Sequence, residues 1–333
     1  MKRKLLIPAF ILLFILSFLI AFSAGRFPIT PSELIRILFS RLLPVKRDWT
    51  PMMESVVFNI RLPRILTAAL IGAGLSLSGL VFQIIFRNPM VSPDVLGTST
   101  GAGFGAALAL LLGFSSLGVS LTAFVTGLIA VFLVWQVGKA LPSNQVLGLI
   151  LGGIMISSLF QSGTSFIKLV ADPENELPAI TYFLMGSLAG AGAEELRLIV
   201  LPMLLSFAVL LALSWHLNLL SLPEEEARSL GVNTRLARGI AIVCSSLMTA
   251  SSVAVSGVIG WVGLVIPHIT RLVTGPDARL SVPSSMLLGA SFLVLVDTVS
   301  RTASTSEIPI GILTSFLGAP LFLYLLIKEG RRQ

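Results

Sequence analysis

Ten apolar stretches follow one another along these 333 residues, bounded by charges, prolines and glycines, and they leave little chain between them. They cover approximately 5–25, 62–86, 94–112, 117–138, 145–167, 197–215, 236–256, 258–273, 283–300 and 308–327. A helix needs roughly 20 apolar residues to cross the hydrocarbon core of a bilayer. Most of the stretches approach that length; 258–273 is short for a span and is expected to be tilted or partly buried in protein. Composition agrees, with 55% hydrophobic and 12% charged residues, against about 25% charged in soluble domains. In water such a chain would expose large apolar patches. The expected fold is therefore all-α: a polytopic membrane protein of about ten transmembrane helices forming a single domain over 1–333.

The ends and the loops carry the topology. Met1-Lys2-Arg3-Lys4 before an apolar run resembles a signal peptide, but the run from Leu5 to Ala24 exceeds the roughly 7–15 residues of a signal core. It reads as a first transmembrane helix. An even number of spans puts both termini on one side, and the basic ends place that side in the cytoplasm. On this reading 13 of the 23 Lys and Arg lie inside and 10 outside, seven of the latter between Arg26 and Arg64. The first outer loop is thus unusually basic. The net charge of +7 is spread between apolar spans rather than massed on one face, which fits anionic lipid and argues against nucleic acid. Cys244 stands alone, so no internal disulfide or cysteine metal cluster can form. Small residues crowd the spans: Gly72, Gly74, Ser76 and Ser78 in one, Gly101 and Gly105 in the next, Gly257, Gly260 and Gly263 later. Such spacing lets helix backbones approach closely.

Motifs for enzymatic chemistry are absent. There is no GxxxxGK[ST] and no HExxH, and Gly101-Ala102-Gly103-Phe104-Gly105 lies inside an apolar span with no strand before it. No metal site is expected; His268 is expected to make a structural hydrogen bond. A proton- or sodium-coupled carrier would need intramembrane acids and inverted repeats. The acidic candidates are Asp297 and Glu307, for which an ion pair of Asp297 with Arg301, four residues on, is the simpler account.

The longest cytoplasmic connection, 216–238, is more informative. Ser221 with Glu224 forms a capping-box pattern, Pro223 suits a first helical turn, Glu224 and Arg228 are spaced i, i+4, and Gly231 can take a left-handed position past the helix end. A short helix therefore projects between two spans. From this segment alone, docking to a partner and lying on the lipid headgroups are equally good readings.

At this point ordered blocks along nearly the whole chain resemble a family, the permease subunits of ABC importers for iron-siderophores, haem and vitamin B12. The blocks are Arg61-Leu62-Pro63-Arg64, Gly79, Phe86-Arg87-Asn88-Pro89-Met90, Leu96-Gly97, Met185-Gly186-Ser187, Glu224 to Gly231, Gly260 to His268, Glu307 to Gly311, and Gly318-Ala319-Pro320. The resemblance implies a permease that works with a second copy of itself, with the pathway between the copies. Two ATP-binding cassette subunits, which hold the ATP and Mg, dock inside, and an extracytoplasmic binding protein delivers cargo outside. This chain itself would hold no cofactor and hydrolyse no ATP.

The resemblance also implies roles for particular residues. Glu224, Glu225, Glu226, Ala227, Arg228, Leu230 and Gly231 match the helix that couples to the ATPase. Arg61, Arg64 and Arg301 match arginines that, in the related vitamin B12 permease, meet glutamates of the binding protein. Asn88, Pro89 and Met90, with Ser143 and Asn144, match the cytoplasmic gate. The location implied is the bacterial or archaeal cytoplasmic (inner) membrane, and the cargo a metal chelate.

Overall fold

The computed structural model describes residues 5–25, 27, 29–41, 47–140, 145–231 and 233–330. Among these no strand occurs. The helices are α1 Leu6–Ser23, α2 Pro31–Phe39, α3 Pro51–Ser55, α4 Leu62–Ile85, α5 Thr98–Leu111, α6 Ser116–Ala140, α7 Gln145–Val170, α8 Glu176–Met185, α9 Ala193–Ala212, α10 Ser214–Leu220, α11 Glu224–Ser229, α12 Thr234–Ser256, α13 Val262–Thr274, α14 Ala278–Thr302 and α15 Ile310–Gly330. A π-helical stretch, Val56–Arg61, joins α3 to α4, and a 3-10 turn, Pro93–Leu96, precedes α5.

Seven helical segments are long and apolar enough to cross a membrane: α1, the continuous Pro51–Ile85 rod, α6, most of α7, α9, α12 and α14. Shorter apolar helices, α5, α13 and most of α15, fall where the remaining apolar stretches were read. Three short helices between the spans, α2, α8 and α10, were not expected, because they lie at the edges of stretches too mixed to show a clear period.

The rod containing α4 is the centre of the bundle. In its most apolar window 89% of residues are buried, against 22% for α1 and α7. Small residues explain why α4 can sit there. Gly72 lies against the backbone of Gly289 on α14, and Gly79 against the backbone of Gly263 on α13, with no room for a Cβ at either contact. Gly101 and Gly105 likewise let α5 approach the Thr126–Ala130 turn of α6. Lipid removes most of the hydrophobic drive for helices to associate, so close packing and interhelical hydrogen bonds take over. Ser76 and Ser285 share a hydrogen bond of 2.7 Å between α4 and α14, and Ser78 and Thr249 one of 2.9 Å between α4 and α12.

Two helices begin inside the bundle. Gly153 on α7 packs against the Val95 carbonyl, and Gly97, at φ +71°, packs against Ser157. Those α7 positions lie roughly 12–18 Å from its start at 1.5 Å per residue, so the irregular chain before α5 reaches mid-span. Before α13, Gly257 and Trp261 take φ of +65° and +69°. Gly263 then packs on Pro93, which brings the two interruptions together. The short 258–273 stretch is thus partly buried in protein, with Leu272 and Val273 exposed at its end.

Candidate functional site

Two polar ends, separated by most of α4 and hence by roughly 35 Å, hold the residues singled out above. At one end, α4 stops at Ile85 and the chain turns through Asn88, Pro89 and Met90. The Asn88 side chain accepts from the Met90 N–H at 2.9 Å, and the Asn88 N–H donates to the Gln83 carbonyl at 3.1 Å. Gln83, itself buried, donates to the carbonyls of Val91 and Leu264 at 3.3 and 3.2 Å and accepts from Arg271. The turn is therefore braced against α13. Met90 stands exposed at its tip. Ser143 and Asn144 lie outside the described residues.

α11 sits beside this turn. Arg87, at φ +49°, donates to the Leu222 carbonyl just before α11. Ala227 is buried, while Glu225, Glu226 and Leu230 are exposed. The side chains of Glu224 and Arg228, and with them the expected i, i+4 pair, lie outside the described ones. Gly231 takes φ +77° two residues past the helix, as its position suggested, and a Cβ there would meet nothing within 4 Å. The expected capping box rests on the Glu224 side chain and so lies outside the described ones. α11 begins at Glu224, so Pro223 stands at its start, and the Ser221 hydroxyl donates backward to the Asn218 carbonyl at 2.6 Å. Asn218 also ties α10 to the head of α14, donating to Asp277 at 2.9 Å and accepting from the Ala278 N–H at 2.6 Å.

At the opposite end, Arg61, Arg64 and Arg301 come together, but as an internal lock. Arg61 and Arg64 are 4% and 8% exposed. Arg64 donates to Asp297 at 2.8 and 3.0 Å and to Glu307 at 2.8 and 2.9 Å, joining α4, α14 and the approach to α15. Arg61 donates to the carbonyls of Phe22 and Phe27, and Arg301 to those of Ala21 and Ala24. The last carbonyls of α1, which no further turn can satisfy, are thus held by two guanidiniums. Arg301 lies 3.5 Å from Asp297, so the i, i+4 pair read from the sequence exists, but the closer partner of Asp297 is Arg64. In the basic first loop, Arg36 forms an exposed pair with Asp48, and Arg41 lies 4.3 Å over the Phe58 ring. His268 is buried with its ring edge-on to Phe322.

The sequence reading missed Asp94. It stands at the first position of the 94–112 apolar stretch, where a single charge marks a boundary. Only the structure shows that α5 has 14 residues, too short to span unless it starts within the bilayer.

Interrupted helices packed around a central rod, with a braced turn and a projecting helix at one end, define a transporter permease fold. Residues 12–328 match the FecCD transport family, and the chain belongs to that family of ABC importer permeases. It is 42% identical to the Haemophilus influenzae molybdate import permease MolB, over 96% of this chain and 94% of that one. It is 41% identical to a Helicobacter pylori permease named for iron chelatin transport, over 83% of each. It is 38% identical to the Escherichia coli vitamin B12 import permease BtuC, over 85% of this chain and 87% of that one. Among solved structures, one described as an inward-facing metal-chelate type ABC transporter superposes with a TM-score of 0.85 at 41% identity, covering 97% and 98% of the two chains.

Proposed function

We propose that this chain is one half of a homodimeric, binding-protein-dependent importer of a metal chelate, driven by two ATP-binding cassette subunits that hold the ATP and Mg. The observation that carries the reading is the link between α11 and the gate turn: Arg87 at the foot of α4 donates to Leu222 at the head of α11. A force on α11 reaches the Asn88–Met90 turn through one side chain, and reaches α14 through Asn218. ATP closure of the cassettes moves α11, the two copies rock, and the gates exchange. On this reading α5, α13 and α15 join the seven longer spans to make ten, both termini and α11 lie in the cytoplasm of a bacterial or archaeal cell, and the whole of 1–333 acts as one permease domain in the inner membrane.

The relatives' names support importer chemistry and divide on cargo, with molybdate, iron chelatin and vitamin B12 all represented. On the outer face, the arginine lock frames the docking surface for the binding protein. Three guanidiniums and two carboxylates leave the cluster net positive, which orients an acidic partner and speeds its approach.

The test is reconstitution with the cognate ATPase and binding protein in proteoliposomes. Uptake should require ATP and survive a protonophore. Uptake that persists without ATP and collapses with the proton gradient would instead establish a secondary transporter. Charge reversal at Arg61 and Arg64 is a poor probe of docking, since both are buried and would unfold the lock. Glu307→Gln is better, because that side chain is 24% exposed. It should raise binding-protein affinity in low salt, and unchanged affinity would remove the cluster from the docking surface.

A further inference from the structure

The arginine lock encloses a pocket that its own ion pairs do not fill. A cavity of about 210 Å³ opens among Arg61, Arg64, Arg301 and Glu307. Phe27, Val56, Ile60 and Ile65 give it an apolar side. At roughly 30 Å³ per water-sized group, it has room for a phosphodiester and its nearest carbons. What the guanidiniums hold sets the depth of this pocket. Arg61 and Arg301 grip the carbonyls of Ala21, Phe22 and Ala24, where the apolar run of α1 ends at Ser23. A span that ends there passes from acyl chains to headgroups. The backbone that presents Arg61 is π-helical, Val56–Arg61. Such turns are rare and concentrate at functional sites.

Donors and positive charge are both in surplus here. A guanidinium carries five N–H donors. Arg61 commits two of them, to Phe22 and Phe27, and Arg301 two, to Ala21 and Ala24. The Arg301 Nε, buried 3.5 Å from Asp297, makes no hydrogen bond. Three guanidiniums against Asp297 and Glu307 leave one positive charge in excess. The complement of this pocket is a singly charged anion rich in acceptor oxygens. A phosphodiester has that charge, and guanidiniums bind phosphate oxygens by charge-assisted hydrogen bonds. The surroundings select a lipid as its carrier. Ile60 lines the pocket and is itself exposed. α2 and α3 pack on the π-helical stretch. α2 buries Leu34 and Ile37 but exposes Ile35 and Phe39, and α3 exposes Met52. An apolar surface around a cationic pocket suits the boundary between acyl chains and headgroups.

We propose that this pocket binds the phosphodiester of an anionic phospholipid in the leaflet at that end of the bundle, with the phosphate on Arg61 and Arg301 and the acyl chains leaving past Ile60. Basic pockets between transmembrane helices hold anionic headgroups elsewhere. The lipid phosphate supplies the negative charge that the lock lacks. The assignment does not depend on the importer reading.

Native mass spectrometry of the purified full-length chain tests it, in neutral detergent supplemented with equal amounts of phosphatidylglycerol and phosphatidylcholine. Both lipids carry a phosphodiester, but the choline cation cancels its charge. A single phosphatidylglycerol should be retained about fivefold over phosphatidylcholine, the order expected for one charge near 4 Å in a hydrated site. Glu307→Gln removes a competing carboxylate and should raise that ratio by about fivefold again. Ile60→Glu places a carboxylate at the exposed mouth and should erase the preference, while Ile60→Gln should keep it. Opposite shifts from Glu307→Gln and Ile60→Glu cannot both come from misfolding. Equal retention of the two lipids, or a ratio untouched by both charge variants, overturns the site. Loss of the preference in Ile60→Gln would assign it to apolar contact and overturn the phosphate. A second arm separates lipid from free anion. Inorganic phosphate in excess over the lipid should leave the phosphatidylglycerol bound; its displacement would make this a soluble-anion pocket and overturn the lipid assignment.

Discussion

Asp297 shows what a single buried charge demands. It is 1% exposed and is accommodated by the Arg64 guanidinium, with Arg301 behind it. Removing one partner of a buried pair strands the other, at a cost of about 3–5 kcal/mol. Asp297→Ala should therefore destabilise the chain by about 3 kcal/mol, read as a lower unfolding midpoint in detergent. Glu307→Gln should cost less, because that side chain reaches solvent and its amide still accepts from Arg64. An equal loss in both variants would contradict this ranking. The spacing of Asp297 and Arg301 was legible in the chain, and their pairing follows from helical geometry. The dominant partner was not, because Arg64 lies 233 positions away and only the meeting of α4 and α14 brings it there.

Elements show where local signals suffice and where they fail. Thr30 and Glu33 cap α2 reciprocally: the Thr30 hydroxyl accepts from the Glu33 N–H at 3.3 Å, and Glu33 accepts from the Thr30 N–H at 2.8 Å. The Thr30 N–H holds the Glu33 carboxyl below its ordinary value of 4.5. A lowered carboxylate pKa stabilises the folded form above the ordinary value, and that contribution is lost as pH falls through the lowered one. Amide protection in α2, corrected for the intrinsic exchange rate, should accordingly fall on acidification below 4.5, and Glu33→Gln should abolish that dependence. Packing between helices makes a different prediction. A Cβ on Gly79 would run into the Gly263 backbone, so Gly79→Val should separate α4 from α13 and cost about 3 kcal/mol or more. Gly231→Ala has open space and only a left-handed φ to resist, about 1 kcal/mol. Comparable losses at the two positions would mean the α4–α13 contact is softer than its geometry indicates. The small residues themselves were evident in the chain. Which glycine faces which was not, since the rotation of each helix is set by its neighbours.

Across the whole molecule, burial is uneven. α4, α12 and α14 form a buried centre, while α7 and α15 leave Leu159, Phe166, Leu169 and Phe316 exposed. Those faces suit lipid and the proposed second copy. At the other level of organisation, Arg87 joins the foot of the buried centre to the projecting α11. Arg87→Ala should leave the fold intact but lower uptake per ATP hydrolysed about tenfold, by the loss of one charge-assisted hydrogen bond between these two segments; undiminished coupling would move the transmission path to Asn218. The amino-acid sequence by itself determined the solvent of this protein, its helical class, its family and the position of the projecting helix. Each of these depends on local composition, length or ordered motifs along one chain. Tertiary structure alone decided that the outer arginines turn inward to hold α1 and Asp297, that α5 and α13 begin inside the bundle, and that Asp94 faces a cleft with Lys168. Those facts depend on which distant segments share a depth and a face, and in a bundle held by close contacts between small residues that is settled only when all the helices pack together.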